Sequence, residues 1–214
     1  MKVIPFDRVQ SDSAALEPLV EALDRGRLIC VPHHSGYRLL ADVTNPDAVT
    51  ELLQAKRRTR HAPSLVFVDS AERVTSLSDE FSEAGRQLAE AFWPGPLTVL
   101  VRPSAELPRR VVKALTKANK HLGVRVPSSP LIRELVSRLG RPLMASSANR
   151  ERRPGESSAA QVRRFFGQSV EMLVDAGDLK TAPRSTVVCV DNDKLKFIRS
   201  GAISDDEIRG VLAA

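Results

Sequence analysis

The sequence predicts an α/β fold built on a mixed β-sheet. Short apolar runs alternate with longer runs of amphipathic, helix-like spacing through about two-thirds of the 214 residues. Near the C-terminal end, two strand-like runs instead follow each other directly, which indicates a hairpin. Alternating strands and helices favour parallel pairing, and a hairpin adds antiparallel pairing, so the sheet should contain both. The length suits one sizeable core, and we expect residues 1–214 to form a single domain.

In the first half of the chain, apolar spacing together with glycine and proline marks the elements. Apolar residues at 16, 19, 20 and 23, followed by Gly26, predict a helix over residues 16–25. The next elements are predicted as a strand at 28–32, a helix at 47–57, a strand at 64–68, a helix at 79–92 closed by a Pro-Gly-Pro turn, and a strand at 97–102.

In the second half, the same signals mark the elements up to the predicted hairpin. The predicted elements are a strand at 124–126, a helix at 130–139 ended by Gly140, a strand at 142–146, a helix at 157–166, a strand at 172–175, and hairpin strands at 185–190 and 195–199. Ser204 and Glu207 have the spacing of a capping box, which predicts the start of a last helix.

Composition limits the classes of function. A hydrophobic fraction of 42% and a charged fraction of 27% are typical of soluble globular proteins. No apolar run approaches the roughly 18 residues of a membrane span, and residues 1–13 lack an apolar leader, so we expect a cytoplasmic protein that binds no membrane. Cys30 and Cys189 lie in apolar runs and are expected to be buried thiols. No Cys/His spacing predicts a metal site.

The positive charge indicates an anionic partner. The formal net charge is +6, and basic residues cluster at 56–61, 109–121, 150–153 and 163–164. Any one cluster fits a solvated face. Several together favour the phosphates of a nucleotide or the backbone of an RNA.

Five short strings that no periodicity requires follow one another in the chain. They are FWPGPLT at 92–98, GVRVP at 123–127, SSAN at 146–149, STVV at 185–188 and RSGAI at 199–203. From about Arg25 to Ile203 this order resembles the YrdC family. The resemblance implies a twisted open mixed sheet flanked by helices, with a basic concave face. It also implies a nucleotidyltransferase of the threonylcarbamoyl-AMP synthase type.

The nucleotide side of such a site is predicted from separate side chains, because the chain has neither a P-loop nor a GxGxxG string. Lys56 and Arg58 form a K-x-R pair, which taken alone also fits a basic tail at a helix C-terminus. Ser147 and Asn149 either reach one ligand or form an Asx-type turn. The resemblance implies that ATP is held by Lys56 and Arg58, as catalytic residues, and by Ser147, Asn149, Ser185 and Arg199. Mg²⁺ should accompany ATP, held by phosphate oxygens and water.

The amino-acid side of the site departs from the family pattern. The family motif is P-T-[DE]-T-V-Y-G, and this chain has PHHSGYR at 32–38, with imidazoles at 33 and 34 and a guanidinium at 38. The resemblance implies that Ser35, Tyr37 and Arg125 contact the substrate. Added bulk and positive charge predict a changed or weakened preference for threonine. A larger or more anionic substrate, or an inactive paralogue, would fit.

Two functions therefore stay open. The first is synthesis of threonylcarbamoyl-AMP and pyrophosphate from ATP, bicarbonate and L-threonine or another amino acid, for tRNA threonylcarbamoyladenosine modification. Such chemistry needs positioning and charge neutralisation, and no GxSxG nucleophile is present. The second is binding of double-stranded RNA or tRNA by a relative of the YciO branch whose catalytic site is weakened or altered.

Overall fold

The alternating runs of the sequence form ten β-strands and eight α-helices within the residues that the structure describes. The computed structural model describes residues 1–34, 36–56, 64–116, 120–149, 157–180, 182–191 and 194–213. The strands are β1 (Lys2–Pro5), β2 (Leu28–Val31), β3 (Arg38–Asp42), β4 (Leu65–Phe67), β5 (Leu97–Val101), β6 (Leu122–Arg125), β7 (Leu143–Ser147), β8 (Val170–Asp175), β9 (Thr186–Asp191) and β10 (Lys194–Arg199). The helices are α1 (Phe6–Ser11), α2 (Glu17–Asp24), α3 (Pro46–Ala55), α4 (Glu83–Phe92), α5 (Arg109–Leu115), α6 (Pro130–Leu139), α7 (Ala159–Phe166) and α8 (Asp205–Ala213). Over these ranges, no helix combines the length and the apolar character that crossing a bilayer requires.

The chain divides into two compact units, and each contains a mixed sheet. Unit 1 is Met1–Arg60 with Glu134–Ala182, and unit 2 is His61–Arg133 with Pro183–Ala214. In unit 1 the strand order is β1-β8-β2-β3-β7, with β1, β8 and β2 parallel and β3 antiparallel to both neighbours. In unit 2 the order is β4-β6-β5-β9-β10, where parallel pairs alternate with antiparallel ones. The predicted α/β class with a mixed sheet is confirmed, whereas the single domain over residues 1–214 stays a prediction.

In each unit, the central strand of the sheet is completely buried. All four residues of β2 are buried in unit 1, as are all five residues of β5 in unit 2. Cys30 lies in β2, and burial raises the pKa of its thiol far above the ordinary value. Both cysteines are buried and outside any disulfide, which confirms the prediction of core thiols. Such continuously buried strands are typical of sheets covered on both faces.

Most predicted elements are confirmed within a few residues, and the exceptions have local causes. Helix α6 has the predicted bounds. The helix predicted from residue 79 begins only at Glu83, because Asp79 accepts hydrogen bonds from Ser104 Oγ and the Ala105 amide while Ser82 Oγ caps the helix through the Gly85 amide. Strands β1 and β3 and helices α1 and α5 were not predicted from the sequence.

Candidate functional site

Lys56, at the C-terminal end of α3, directs its ammonium into the interior of unit 1. The residue is only 6% exposed. Its Nζ donates to Asn149 Oδ1 at 2.6 Å and to the carbonyl oxygen of Ser147, and it lies 3.5 Å from Ser147 Oγ. A basic tail at a helix end would keep its charge in water, so that alternative does not describe Lys56.

The SSAN segment is shaped by the end of the β3–β7 ladder. The antiparallel register carries Ser147 opposite Arg38, and the Ala148 amide then donates to the Tyr37 carbonyl at 2.9 Å. The Asn149 backbone amide donates to the Ser147 carbonyl, and Ser147 Oγ donates to Asn149 Oδ1. Since an ammonium can only donate, Asn149 presents its carbonyl oxygen to Lys56. The structure thus joins three predicted nucleotide contacts in one hydrogen-bonded group, Lys56, Ser147 and Asn149.

This group is suited to binding an anion. A buried ammonium loses hydration, and the dipoles of neutral oxygens replace only part of it. A phosphate placed beside Lys56 would add a charge-assisted hydrogen bond, which is roughly twice as strong as a neutral one. Arg58 lies outside the described residues, so its predicted part in phosphate binding stays a prediction.

Tyr37 anchors the start of β3 within unit 1. Its hydroxyl donates to the Gly177 carbonyl at 2.9 Å and accepts from the Ala176 amide at 2.9 Å, and the side chain is fully buried. Burial is the main cause that raises the pKa of Tyr37 to about 12. These contacts give Tyr37 a positioning role, while its predicted contact with substrate stays a prediction. Ser35, the neighbouring predicted contact, lies outside the described residues.

The two histidines of the altered motif lie together in the β2–β3 connection. Their ring centroids are 4.0 Å apart, and His33 is only 4% exposed whereas His34 is exposed. The Gly36 amide donates to the His33 carbonyl, which closes the connection. The connection thus carries two imidazoles four and five residues before Arg38, which lies opposite Ser147 in the β3–β7 pair.

In unit 2, the guanidinium of Arg199 donates hydrogen bonds to Ser185. Its Nε and Nη2 donate to the Ser185 carbonyl at 3.0 and 2.8 Å, and Nη2 also bonds Ser185 Oγ at 2.9 Å. Gly201 permits this approach, because a Cβ there would lie 2.3 Å from the Arg184 carbonyl oxygen. Burial, and then the charge of Arg184, lower the pKa of Arg199 from its ordinary value. Arg199 is itself exposed, so an anion could reach its guanidinium from solvent.

The FWPGPLT string forms the turn that precedes β5. Trp93 Nε1 donates to the Leu97 carbonyl at 2.8 Å, the Trp93–Pro94 peptide is cis, and the Gly95 amide donates to the Val126 carbonyl at 3.0 Å. A Cβ at position 95 would lie 2.2 Å from the Phe92 carbonyl oxygen, so the turn requires glycine. This agrees with an architectural role.

Thr98 is a buried polar residue that the sequence interpretation missed. Its Oγ1 lies 3.4 Å from Ser185 Oγ, and the residue is only 4% exposed. The signal was available, since a threonine on a strand that otherwise carries apolar residues needs a polar partner. Thr98 therefore joins Arg199 and Ser185 in the polar group of unit 2.

Arg125 lies on β6, which pairs with β4 on one side and β5 on the other. It is 2% exposed, and its guanidinium carbon is 6.0 Å from the centroid of the Phe67 ring. Its predicted contact with the substrate stays a prediction. Among the residues with described positions, no cluster of three or more His, Cys, Asp or Glu could hold a metal ion.

Comparison with known proteins gives a consistent result. Residues 21–201 match the family model of Sua5, YciO and YrdC proteins, which is described as "Telomere recombination". The chain is 30% identical over 187 residues to the threonylcarbamoyl-AMP synthase of Pyrococcus abyssi, covering 87% of this chain and 54% of that protein. It is 32% identical over 200 residues to the putative threonylcarbamoyl-AMP synthase of Mycobacterium tuberculosis H37Rv, covering 94% and 90%.

Solved structures show the same similarity. P. abyssi Sua5 complexed with L-threonine has a TM-score of 0.84 at 28% identity, with 94% of this chain and 58% of that chain covered. Escherichia coli YciO has a TM-score of 0.80 at 21% identity, with 92% and 93% covered, which shows a shared fold. The chain spans little more than half the length of the P. abyssi synthase and of the Bacillus subtilis synthase.

Proposed function

Because this chain belongs to the Sua5/YciO/YrdC family, we propose that it is an ATP-dependent synthase of threonylcarbamoyl-AMP, or a close paralogue that uses another amino acid. The observation that carries the proposal is the buried ammonium of Lys56, bonded to Asn149 and Ser147. Relatives named threonylcarbamoyl-AMP synthase and a Sua5 structure containing L-threonine support it.

The proposed reaction proceeds by two bond-forming steps. The amine of the amino acid adds to bicarbonate to give a carbamate and water. An oxygen of the carbamate then attacks the α-phosphorus of ATP, and the bond from that phosphorus to the bridging oxygen breaks, so that pyrophosphate leaves. No covalent enzyme intermediate is needed, and the protein contributes positioning and positive charge.

Within this reaction, Lys56, Ser147 and Asn149 hold the nucleotide near its α-phosphate. Lys56 supplies a fixed positive charge that needs no reorganisation during attack, since its position is set by its hydrogen bonds. Arg58, Ser185 and Arg199 complete the proposed nucleotide contacts. Mg²⁺ enters with ATP as part of the substrate, bound by phosphate oxygens and water. The product is an acyl-adenylate for a tRNA-modifying step.

Isothermal titration with ATP tests the nucleotide assignment. We expect Lys56→Ala and Arg58→Ala to abolish measurable binding, because each removes a cation from the phosphates. Lys2→Ala, which removes an equal charge from an exposed position of β1, is the matched control and should bind as the unmodified protein does. ATP affinity untouched by both site substitutions would show that the phosphates bind elsewhere.

Binding of RNA is the second candidate, supported by a run of exposed cations on α5. Arg109, Arg110 and Lys113 are all exposed on this seven-residue helix. Cations spaced along a surface suit the phosphates of an A-form duplex, which is recognised by shape. Binding should then fall steeply with salt and depend little on sequence, whereas equal retention of RNA at low and high salt would contradict it.

A further inference from the structure

Thr186, the first residue of β9, is a fully buried threonine whose hydroxyl makes two hydrogen bonds to one residue. It donates to the Ile203 carbonyl at 2.6 Å and accepts from the Ile203 amide at 3.0 Å. The Thr186 amide donates to the Pro96 carbonyl at 3.0 Å, so the backbone that carries this hydroxyl is itself fixed. The hydroxyl thus holds the last residue of the RSGAI segment, residues 199–203, against the start of β9.

Two further contacts bring the RSGAI segment against the residues just before β9. The Ala202 amide donates to the Arg184 carbonyl at 2.8 Å. Gly201 lies so close to the same backbone that a Cβ at position 201 would be 2.3 Å from the Arg184 carbonyl oxygen and 2.7 Å from that of Ser185. Residues 201–203 therefore pack directly against residues 184–186.

Arg199, at the start of this segment, depends on these contacts because the β9–β10 ladder is irregular where it lies. A register shift separates Phe197 from Arg199, which lies opposite Val187. Such an irregularity disrupts ladder hydrogen bonds, so the backbone at 199 is fixed largely by the residues that follow it. An arginine side chain also has many rotamers, and a precise contact with Ser185 therefore requires a fixed backbone.

We propose that Thr186 is a positioning residue of the nucleotide site, whose hydroxyl holds the RSGAI segment so that the Arg199 guanidinium stays at Ser185. The inference rests on the proposed function, in which Ser185 and Arg199 contact ATP. Thr186 is fully buried, so it acts through Arg199 and does not itself touch the ligand. Valine at this position would keep the shape of the side chain but leave the Ile203 amide and carbonyl without their partner, which favours displacement of the segment.

Calorimetric titration of the full chain with ATP tests this inference. We expect Thr186→Val to raise the Kd for ATP ~10-fold, the size expected when one charge-assisted hydrogen bond is lost. Thr186→Ser retains the hydroxyl and should bind ATP as the unmodified protein does. Thr116→Val is the matched control, since it removes a threonine hydroxyl that donates to the Val112 carbonyl at 2.7 Å in the same unit.

A double-mutant cycle separates positioning from a general loss of structure. If Thr186 acts through Arg199, Thr186→Val should cause no further loss of ATP affinity in protein that already carries Arg199→Ala. Equal losses in the two backgrounds would show that Thr186 acts independently of Arg199 and would overturn the inference. Unchanged ATP affinity in either single variant, Thr186→Val or Arg199→Ala, would overturn it as well.

Hydrogen exchange of the Ala202 and Ile203 amides gives a readout that needs no ligand. Protection of both amides should decrease in Thr186→Val, and unchanged protection would contradict the role of the hydroxyl. Fluorescence of Trp93, the single tryptophan, reports folding of each variant. If Thr186→Val does not fold, Gly201→Ala carries the same cycle, because its Cβ would displace the segment from the Arg184 carbonyl. Failure of the proposed function appears separately, as ATP binding unaffected by Lys56→Ala.

Discussion

Lys56 lies at a helix end, yet its ammonium is buried by hydrogen bonds to neighbouring oxygens. Lysine normally extends its ammonium into water, because the methylene stem is long enough to reach it. Here the Ser147 carbonyl and Asn149 Oδ1 draw the ammonium inward instead. The charge is thereby fixed in position, which a phosphate ligand requires and a solvated tail does not provide.

At this residue scale, Asn149→Asp should move stability and affinity in opposite directions. A carboxylate at 149 would pair with the buried Lys56 ammonium and raise the thermal unfolding temperature, but it would repel phosphate. We expect the Kd for ATP to rise about tenfold or more, a free-energy change of about 1.4 kcal/mol. Asn45→Asp is the control, since Asn45 caps α3 and aspartate caps equally well. ATP affinity left unchanged by Asn149→Asp would contradict the assignment of this group.

A second prediction at the residue scale concerns Tyr37, whose ionisation can be followed directly because the chain has one tyrosine. Absorbance at 295 nm should show tyrosinate forming with a pKa of about 12 in the folded protein. An unfolded tyrosine has a pKa of about 10, so the stability present below that pH should be lost as pH rises from about 10 towards 12. Tyr37→Phe should show no step. A folded-state midpoint near 10 would contradict the burial of this hydroxyl.

At the scale of elements, α8 begins with the capping box that the sequence predicts. The Ser204 amide donates to Glu207 Oε2 at 2.8 Å, and the Glu207 amide donates to Ser204 Oγ at 3.2 Å. Both orphan amides at the helix start are thereby satisfied.

Ser204→Ala should therefore lower the free energy of unfolding by about 1 kcal/mol. Urea unfolding followed by Trp93 fluorescence measures the loss. Ser11→Ala, which removes only an exposed 3.4 Å contact, is the control and should change stability far less. Equal losses in the two variants would show that the box adds nothing to α8.

The elements that the sequence predicts are those whose signals are local. Helix α6 has an apolar stripe and a terminal glycine, and its bounds follow from these alone. Strand β3 has a weak local signal, because its sequence RLLAD has only three apolar residues between two charged ones. Helix α5 is also weakly marked, because its seven residues, RRVVKAL, form only about two turns.

The candidate site likewise contains residues that were predicted from the sequence and residues whose importance depends on tertiary structure. The family resemblance, rather than spacing alone, predicted Lys56, Ser147 and Asn149 as nucleotide contacts, and their convergence across more than ninety residues depends on tertiary structure. Arg38 and Thr98 contact or face residues on other strands, and no local sequence pattern contains that information. Register is a property of the folded sheet, so the position of Arg38 opposite Ser147 could not be predicted from the sequence.

At the scale of the whole molecule, the chain is basic, and each of its two units carries some of the polar residues that we propose bind the nucleotide. Unit 1 holds Lys56 with Ser147 and Asn149, and unit 2 holds Arg199 with Ser185. The formal net charge of +6 suits anionic substrates, since a positive field raises the rate at which they are captured.

Release of pyrophosphate from ATP is the decisive measurement for the proposed synthase activity. The full chain is incubated with ATP, Mg²⁺ and bicarbonate, and threonine, aspartate, glutamate and the other amino acids are added singly. We expect pyrophosphate release that requires both bicarbonate and one class of amino acid, and that Lys56→Ala abolishes while Lys2→Ala does not. Absence of release with every amino acid, or release that Lys56→Ala leaves intact, would contradict it.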